Sequence, residues 1–341
     1  MSEQIVVLDE QKMFDKIQDF PKQLEASWTS LWVKDLGIDT KGITGVIVCG
    51  MGGSGIAGLL AQELVSESLS IPFVVWNDYG LPAWVGETTL VIACSYSGDT
   101  EETLDAVKHA VEKKARLIAI TRGGKLGELA KIHNFPAIPI NYEAPPRATL
   151  GWLYGLLLTV LTKLELSPLK EPGYFQALDE LKKTVAKKIF LSKAEDLAIS
   201  LNNKIPLIFA HHPLTALAKR WVNQLNENSK TFALAGNVPE LCHNTIVGTE
   251  YAVPEKLMIL YVESKYGFSR NGARAKVLHK WFDSQHIPFV PLSVKSGSLL
   301  AEQWLLIYFG DLLSFYLAGV YGVDPTPIAP IVYLKDELNK L

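Results

Sequence analysis

Residues 46–55 read Val-Ile-Val-Cys-Gly-Met-Gly-Gly-Ser-Gly, an apolar run that breaks into four glycines and a serine. Ile-Ala-Gly-Leu-Leu-Ala-Gln-Glu-Leu comes next, so the order predicts a buried strand, a tight turn and a helix over 56–65. The chemistry of such a turn is anion binding. Gly52, Gly53 and Ser54 let the backbone approach a ligand, and the free N–H groups and positive dipole of the helix start favour a phosphate. Spacing alone leaves the ligand open, because Gly50, Gly52 and Gly55 also satisfy the G-x-G-x-x-G dinucleotide fingerprint. A second loop discriminates. Ser95-Tyr96-Ser97-Gly98-Asp99-Thr100 closes another apolar run, and Thr100 suits the N-cap of a helix opened by Glu102 and Thr103. Ser95, Ser97 and Thr100 exceed what a cap requires; with Ser54 they supply hydroxyls for one phosphate without lysine or metal. A dinucleotide site would instead want an acid about 20 residues beyond the first glycine, and Asp78 stands 28 residues after Gly50.

The elements that must hold these loops emerge from the periodicity. Short apolar runs at 45–49, 72–76, 89–95 and 116–121 alternate with amphipathic stretches at 56–65 and 101–112, which predicts a parallel sheet covered on both faces. A helix over 150–164 closes this unit, and 165–173, with two prolines, reads as a linker. The pattern begins again with helices over 174–202, 214–226 and 273–282 and strands over 206–210, 256–262 and 287–294. The expected fold class is α/β, with two doubly wound subdomains, mainly parallel sheets, and added N-terminal and C-terminal helices. The expected division is a helical lead-in over 1–36, a phosphate-binding subdomain over 37–168, a second subdomain over 174–323 and a tail helix over 324–341. Met13, Ile17, Phe20, Leu24 and Trp28 give the lead-in its helical stripe, Pro21 marks a break, and the stripe is expected to pack on a neighbouring domain or subunit. In open α/β sheets ligands sit beyond the carboxyl ends of the strands, so the loop after each strand is a candidate binding segment.

A chain of 341 residues with 48% hydrophobic and 20% charged residues is long enough for two cores. A net charge of −3 gives no footprint for nucleic acid, and no polybasic block suggests a membrane surface. The N-terminus lacks the basic start and apolar core of a signal peptide, which points to the cytoplasm. Three sparse cysteines argue against a disulfide framework, and Cys49 and Cys94 read as small buried hydrophobes. Residues 304–323 are apolar over the length of a bilayer span, but Asp311, Ser314 and three glycines interrupt them, so a buried or subunit-interface helix is expected.

Gly-Met-Gly-Gly-Ser-Gly, with Ser-Tyr-Ser-Gly-Asp-Thr-Glu-Glu-Thr some forty residues later, resembles the sugar isomerase (SIS) fold. Further along, Ala-Pro-Pro-Arg-Ala at 144–148, Asn-Glu-Asn-Ser-Lys at 226–230, Pro-Glu-Leu-Cys-His-Asn at 239–244 and Asp-Pro-Thr-Pro at 324–327 with Lys335 look like the bifunctional phosphoglucose/phosphomannose isomerases. The resemblance runs through nearly the whole chain. It implies an aldose–ketose isomerase that moves a proton between C2 and C1 of a hexose 6-phosphate through a cis-enediol, with one base for both halves and no redox cofactor. By resemblance Glu227 is the base, which read alone would be a solvated carboxylate at a helix end. His243 matches the ring-opening histidine that the family supplies from the neighbouring subunit of a homodimer; read alone it is a loop histidine. Lys335, otherwise a solvated lysine on a short helix, assists ring opening, and Arg147 stabilises the enediol oxygens. The family threonine that leaves room for rotation about C2–C3 has its nearest counterpart in Thr326, in a differently spaced segment. Asp99 stands where many relatives carry asparagine and is expected to point outward as a helix cap.

No metal is expected, since His211-His212 and the isolated His243 lack ligand spacing, although the pair closes a strand and is placed to line the cleft. Glu240 is a decoy, close to His243 but not at the base position. Three rival readings stand beside the isomerase: a non-enzymatic SIS-type sensor, an NAD-dependent dehydrogenase, and an amino-sugar or ketose phosphate isomerase of the same fold. Glu227, His243 and Lys335 argue against the sensor.

Overall fold

The computed structural model describes residues 5–32, 35–338 and 340. Residues 1–4 and 33–34 of the expected lead-in, and 339 and 341 of the tail, lie outside the described residues. The chain forms two compact units. The first comprises Gln18–Lys183 with Lys295–Trp304, the second Thr184–Val294, Leu305–Leu341 and the described part of Met1–Ile17.

Met13–Gln18 (α1) and Phe20–Trp32 (α2) are separate helices, parted at Asp19. Pro21 therefore does not break the helix. It lies in the first turn of α2, where a proline's missing N–H has no intrahelical acceptor to lose. The first unit continues with β1 (Gly45–Cys49), α3 (Gly52–Val65), β2 (Phe73–Trp76), β3 (Thr89–Ser95), α4 (Glu101–Glu112), β4 (Arg116–Thr121), α5 (Gly124–Ile132), β5 (Ala137–Pro139), α6 (Leu150–Lys163) and α7 (Glu171–Ala186). Its five strands are parallel in the order β2-β1-β3-β4-β5. Every residue of β1 and β3 is buried, as expected of central strands covered on both faces. The stripe on α2 packs within this unit: Gly151 on α6 lies against Phe20 and Gln23, and the Trp28 and Tyr174 rings are 4.1 Å apart.

The second unit contains α8 (Ile189–Ser200), β6 (Ile205–His211), α9 (Thr215–Ser229), β7 (Leu234–Val238), β8 (Leu257–Val262), α10 (Ser269–Ser284) and β9 (Phe289–Leu292), with parallel strand order β7-β6-β8-β9. Its core stacks Tyr261, Phe282 and Phe289. The helix α11 (Leu299–Val320) contributes Leu299–Trp304 to the first unit and the remainder to the second, and α12 (Ala329–Leu338) comes last.

Several boundaries differ from the sequence reading. The predicted helix over 174–202 is two, α7 and α8, with Lys188 in the left-handed region at φ 54° between them. α7 begins at Glu171, inside the stretch read as linker. α5, β5 and β7 escape the apolar pattern because they are short and thinly apolar: β5 has three residues, and β7 reads Leu-Ala-Gly-Asn-Val. Gly236 in β7 is required by packing, since a Cβ there would lie 2.7 Å from the Phe209 ring. In α11, the most apolar 18-residue window is 83% buried within the protein, so the span-length segment is a core helix. Its Asp311 is ion-paired to Arg220 of α9, with Arg220 Nη2 2.8 Å from Oδ2 and 2.9 Å from Oδ1. The interrupting Ser314 accepts a hydrogen bond from Asn228 Nδ2 at 2.9 Å.

Candidate active site

In the first unit the strand order turns round between β1 and β3, so helices leave these adjacent strands in opposite directions and a crevice opens at their carboxyl ends. Both sequence loops lie there, β1 running into the glycine turn and β3 into the hydroxyl loop. The helix after β1 starts at Gly52 rather than Ile56, with Met51 as its N-cap, so Gly53, Ser54 and Gly55 form its first turn. The N–H groups of Ser54 and Gly55 bond the Met51 carbonyl at 2.9 and 3.1 Å, which leaves those of Gly52 and Gly53 as the helix-start donors at the crevice. Gly52 takes φ +50°, a left-handed conformation that a side chain would strain. Gly50 is forced by contact, since a Cβ there would sit 2.8 Å from the carbonyl oxygen of Cys94. The Ser54 hydroxyl makes no hydrogen bond among the described residues, although Ser54 is buried.

Thr100 occupies the N-cap of α4 but does not cap it. Its hydroxyl lies 2.9 Å from Ser95 Oγ, which also accepts the Gly98 N–H at 3.1 Å. Ser97 is exposed, and its hydroxyl accepts the N–H of Asp99 at 3.2 Å. Asp99 points away, as expected, but caps α5 by accepting the Lys125 N–H at 3.1 Å.

Arg147 sits in a 3-10 turn, Pro146–Ala148, and is 2% exposed. A Cβ on Gly53 would lie 3.1 Å from the Pro146 carbonyl oxygen, so the glycine turn rests directly on the arginine's turn. Three residues that the sequence reading missed hold this assembly. Asn77, at the end of β2, donates from Nδ2 to the Gly50 carbonyl. The Tyr96 hydroxyl donates to the Tyr142 carbonyl at 2.8 Å and accepts the Ala144 N–H at 3.1 Å, fixing the segment that leads to Arg147. Gln23 on α2 donates to the Ala148 carbonyl at 2.9 Å from the other side. The signal for Asn77 and Tyr96 was their place at or just beyond a strand's carboxyl end; nothing local marked Gln23.

The second unit brings together two motifs about a hundred residues apart. Glu227 is half-buried in the last turn of α9. The residues after it are structural: Asn228 bonds Ser314, Ser229 donates to the Leu225 carbonyl at 2.6 Å, and Lys230 ends the helix at φ 55°. Lys230 Nζ donates to the Glu227 carbonyl at 2.7 Å and to the Pro325 carbonyl at 3.1 Å, tying the helix end to Asp-Pro-Thr-Pro. Within that segment the Thr326 N–H bonds Asp324 Oδ1 at 2.7 Å, and Thr326 is buried.

His243 is exposed in the 3-10 turn Glu240–His243. Glu240 is engaged, accepting from Asn244 Nδ2 at 2.7 Å. Lys335 stands on α12, which buries no residue, and neither Lys335 nor His243 makes a hydrogen bond or ion pair among the described residues. His211 is fully enclosed at the equivalent strand-order reversal of this unit, between β6 and β8, where its Nε2 faces the Ser264 N–H at 3.4 Å. The three thiols are free, and burial pushes Cys49 up to about 12 and Cys94 higher still, so both stay protonated at neutral pH.

Residues 44–134 match the SIS domain model, and 190–338 match the bacterial phospho-glucose isomerase C-terminal SIS domain. The C-terminal domain of glucosamine-fructose-6-phosphate aminotransferase from Francisella tularensis superimposes with a TM-score of 0.72 at 16% identity, covering 93% of this chain and 98% of that one. Fold and domain matches together define a protein of the sugar isomerase (SIS) class. The bifunctional phosphoglucose/phosphomannose isomerase of Caldicellulosiruptor bescii is 35% identical over 339 residues, covering 96% of this chain and 99% of its own. The Aquifex aeolicus protein of the same name is 32% identical over 331 residues, covering 95% and 99%. This chain belongs to the bifunctional phosphoglucose/phosphomannose isomerase family.

Proposed function

We propose that this protein is a cytoplasmic, metal-independent isomerase that interconverts glucose 6-phosphate and mannose 6-phosphate with fructose 6-phosphate. The observation that carries the reading is the first unit's crevice, where a glycine turn and a hydroxyl loop meet beside the turn bearing Arg147. The substrate phosphate is held by the N–H group of Gly53 and the hydroxyls of Ser54, Ser95, Ser97 and Thr100, with Gly52 shaping the turn. His243 and Lys335 open the ring by moving a proton from the C1 hydroxyl to the ring oxygen. The Glu227 carboxylate takes the C2 proton while the C1 carbonyl oxygen gains a proton, giving the enediol. The same C2 proton then returns to C1 as the C2 hydroxyl gives up its proton and becomes the carbonyl, so that the net oxygen-bound proton passes from O2 to O1. Arg147 stabilises the negative charge on the enediol oxygens. Glucose and mannose phosphates share this enediol, and Thr326 leaves space for the C2–C3 rotation that exposes either face.

The working unit is a homodimer, in which His243 serves the neighbouring copy's site and the tail helix completes it. Two features support this. His243 is presented to solvent without a partner among the described residues, and α12 leaves Ile331, Val332, Tyr333, Leu334 and Leu338 exposed, an apolar surface that a second copy would cover.

A coupled assay from fructose 6-phosphate that detects both aldose products, run with and without EDTA, tests the reading. Both products form at rates that EDTA leaves unchanged; absence of turnover refutes isomerase activity, and EDTA inhibition refutes the metal-independent mechanism. In the same assay the double variant S95A/T100V is expected to raise KM about tenfold or more, because each hydrogen bond to a charged group is worth about 1.5–3 kcal/mol. A smaller effect on kcat than on KM separates anchoring from chemistry.

A further inference from the structure

A cavity of about 440 Å³ opens in the first unit between the segment around Asp39, the ends of α4 and α5 and the start of β4. Arg116, Lys114, His133 and Asn134 face it, with Asp39 its acid. It lies at the amino end of β4, whereas the phosphate loops lie at the carboxyl ends of β1 and β3. Arg116 to Thr121 spans β4, about 16 Å of extended chain, so the two places are separate.

We propose that this cavity is a second anion site, distinct from the sugar-phosphate crevice, which takes a small polyanion such as a diphosphate or a phosphorylated carboxylic acid. Arg116 is the central observation. Its guanidinium is partly buried, with Nη1 shielded from solvent and without a hydrogen-bond acceptor, and Arg116 forms no ion pair among the described residues. A partly desolvated guanidinium without a counter-charge is costly, and an oxyanion bound to its solvent-facing nitrogens supplies the counter-charge, although it does not reach Nη1. Asp39 is not ion-paired to Arg116 among the described residues; its Oδ1 accepts the Lys41 N–H at 2.9 Å in a local turn. Lys114, held at φ 55°, is free to contribute: its contact with Glu87 is 3.9 Å long and both side chains are more than two-thirds exposed. The ends of α4 and α5 that border the cavity are the negative ends of their dipoles and oppose an anion. Each is worth at most about half a charge, against the full charges of Arg116 and Lys114, with Asp39 the cavity's one acid. The volume falls within the range of small-molecule sites, about 300–1,000 Å³.

The experiment is a calorimetric titration of pyrophosphate into the full chain carrying S95A/T100V, which weakens the sugar-phosphate crevice, and into the same chain with R116Q added. Residual pyrophosphate affinity is expected to fall at least tenfold on adding R116Q, and about threefold on adding K114Q instead. No residual binding, or an affinity unchanged by R116Q, overturns the proposal. Lys114 is exposed and its replacement cannot disturb folding, so if R116Q melts without cooperativity, an affinity unchanged by K114Q overturns it equally.

Discussion

Glu227→Gln is expected to reduce turnover of fructose 6-phosphate by about 10²–10⁴-fold, the usual range for removing a positioned general base. The amide keeps the shape and hydrogen-bonding capacity of the side chain but cannot hold the proton that must pass between C2 and C1. The backbone around it is held independently, by Asn228 on Ser314 and by Lys230 on the Glu227 and Pro325 carbonyls, so folding and phosphate binding should persist. A sugar-phosphate inhibitor should therefore bind within about threefold of the parent, a difference of less than 1 kcal/mol. Near-parental turnover would remove Glu227 from the base role. Mixing the inactive Glu227→Gln and His243→Ala chains extends the test. Recovery of activity after subunit exchange is expected if His243 acts across the dimer, and no recovery despite demonstrated exchange refutes a shared site.

Arg220→Met is expected to cost about 3–5 kcal/mol of stability at neutral pH, the cost of leaving one member of a buried pair alone. Arg220 is 1% exposed and binds both carboxylate oxygens of Asp311, itself 6% exposed, in the middle of the apolar helix α11. Burial already pushes the Asp311 carboxyl above its usual range, opposed by Arg220 and by a hydrogen bond from Gln224. Removing the guanidinium leaves burial less opposed, so the carboxyl becomes protonated in the folded state at a pH where the unfolded chain holds it ionised. The folded state then binds more protons than the unfolded one, and stability falls as pH rises above the ordinary aspartate value of about 4. The deficit of R220M relative to the parent should therefore shrink on acidification, and adding D311L should recover much of it. Denaturant unfolding at two pH values measures both. A deficit that grows on acidification, or a double variant no more stable than R220M, would show that the pair is not the source of the loss.

The strands and helices that carry the phosphate loops were legible because their signals are local. A continuous apolar run and an amphipathic stretch each report their element, and β1, β3, β4 and α4 have the predicted bounds. The start of α3 was less legible, because Gly53, Ser54 and Gly55 are poor helix formers that enter the helix only where the turn demands their small size. α5, β5 and β7 were missed for the same reason in reverse, having too little apolar surface to stand out. Tyr96 and Gln23 acquire their roles only from partners 46 to 125 residues away, the Tyr142 and Ala148 carbonyls.

The sequence by itself determined the parallel α/β class and, through motif order, the family. These depend on residue type, period and spacing along the chain. Only the tertiary structure decided that β1 and β3 are neighbours, so that two loops forty residues apart form one crevice resting on the turn of Arg147. It also decided that Lys230 draws Pro325 to the end of the Glu227 helix, and that Asp311 answers Arg220 rather than a bilayer or solvent. Strand order and buried polar pairs are set by which surfaces exclude water together, and no local period encodes that choice.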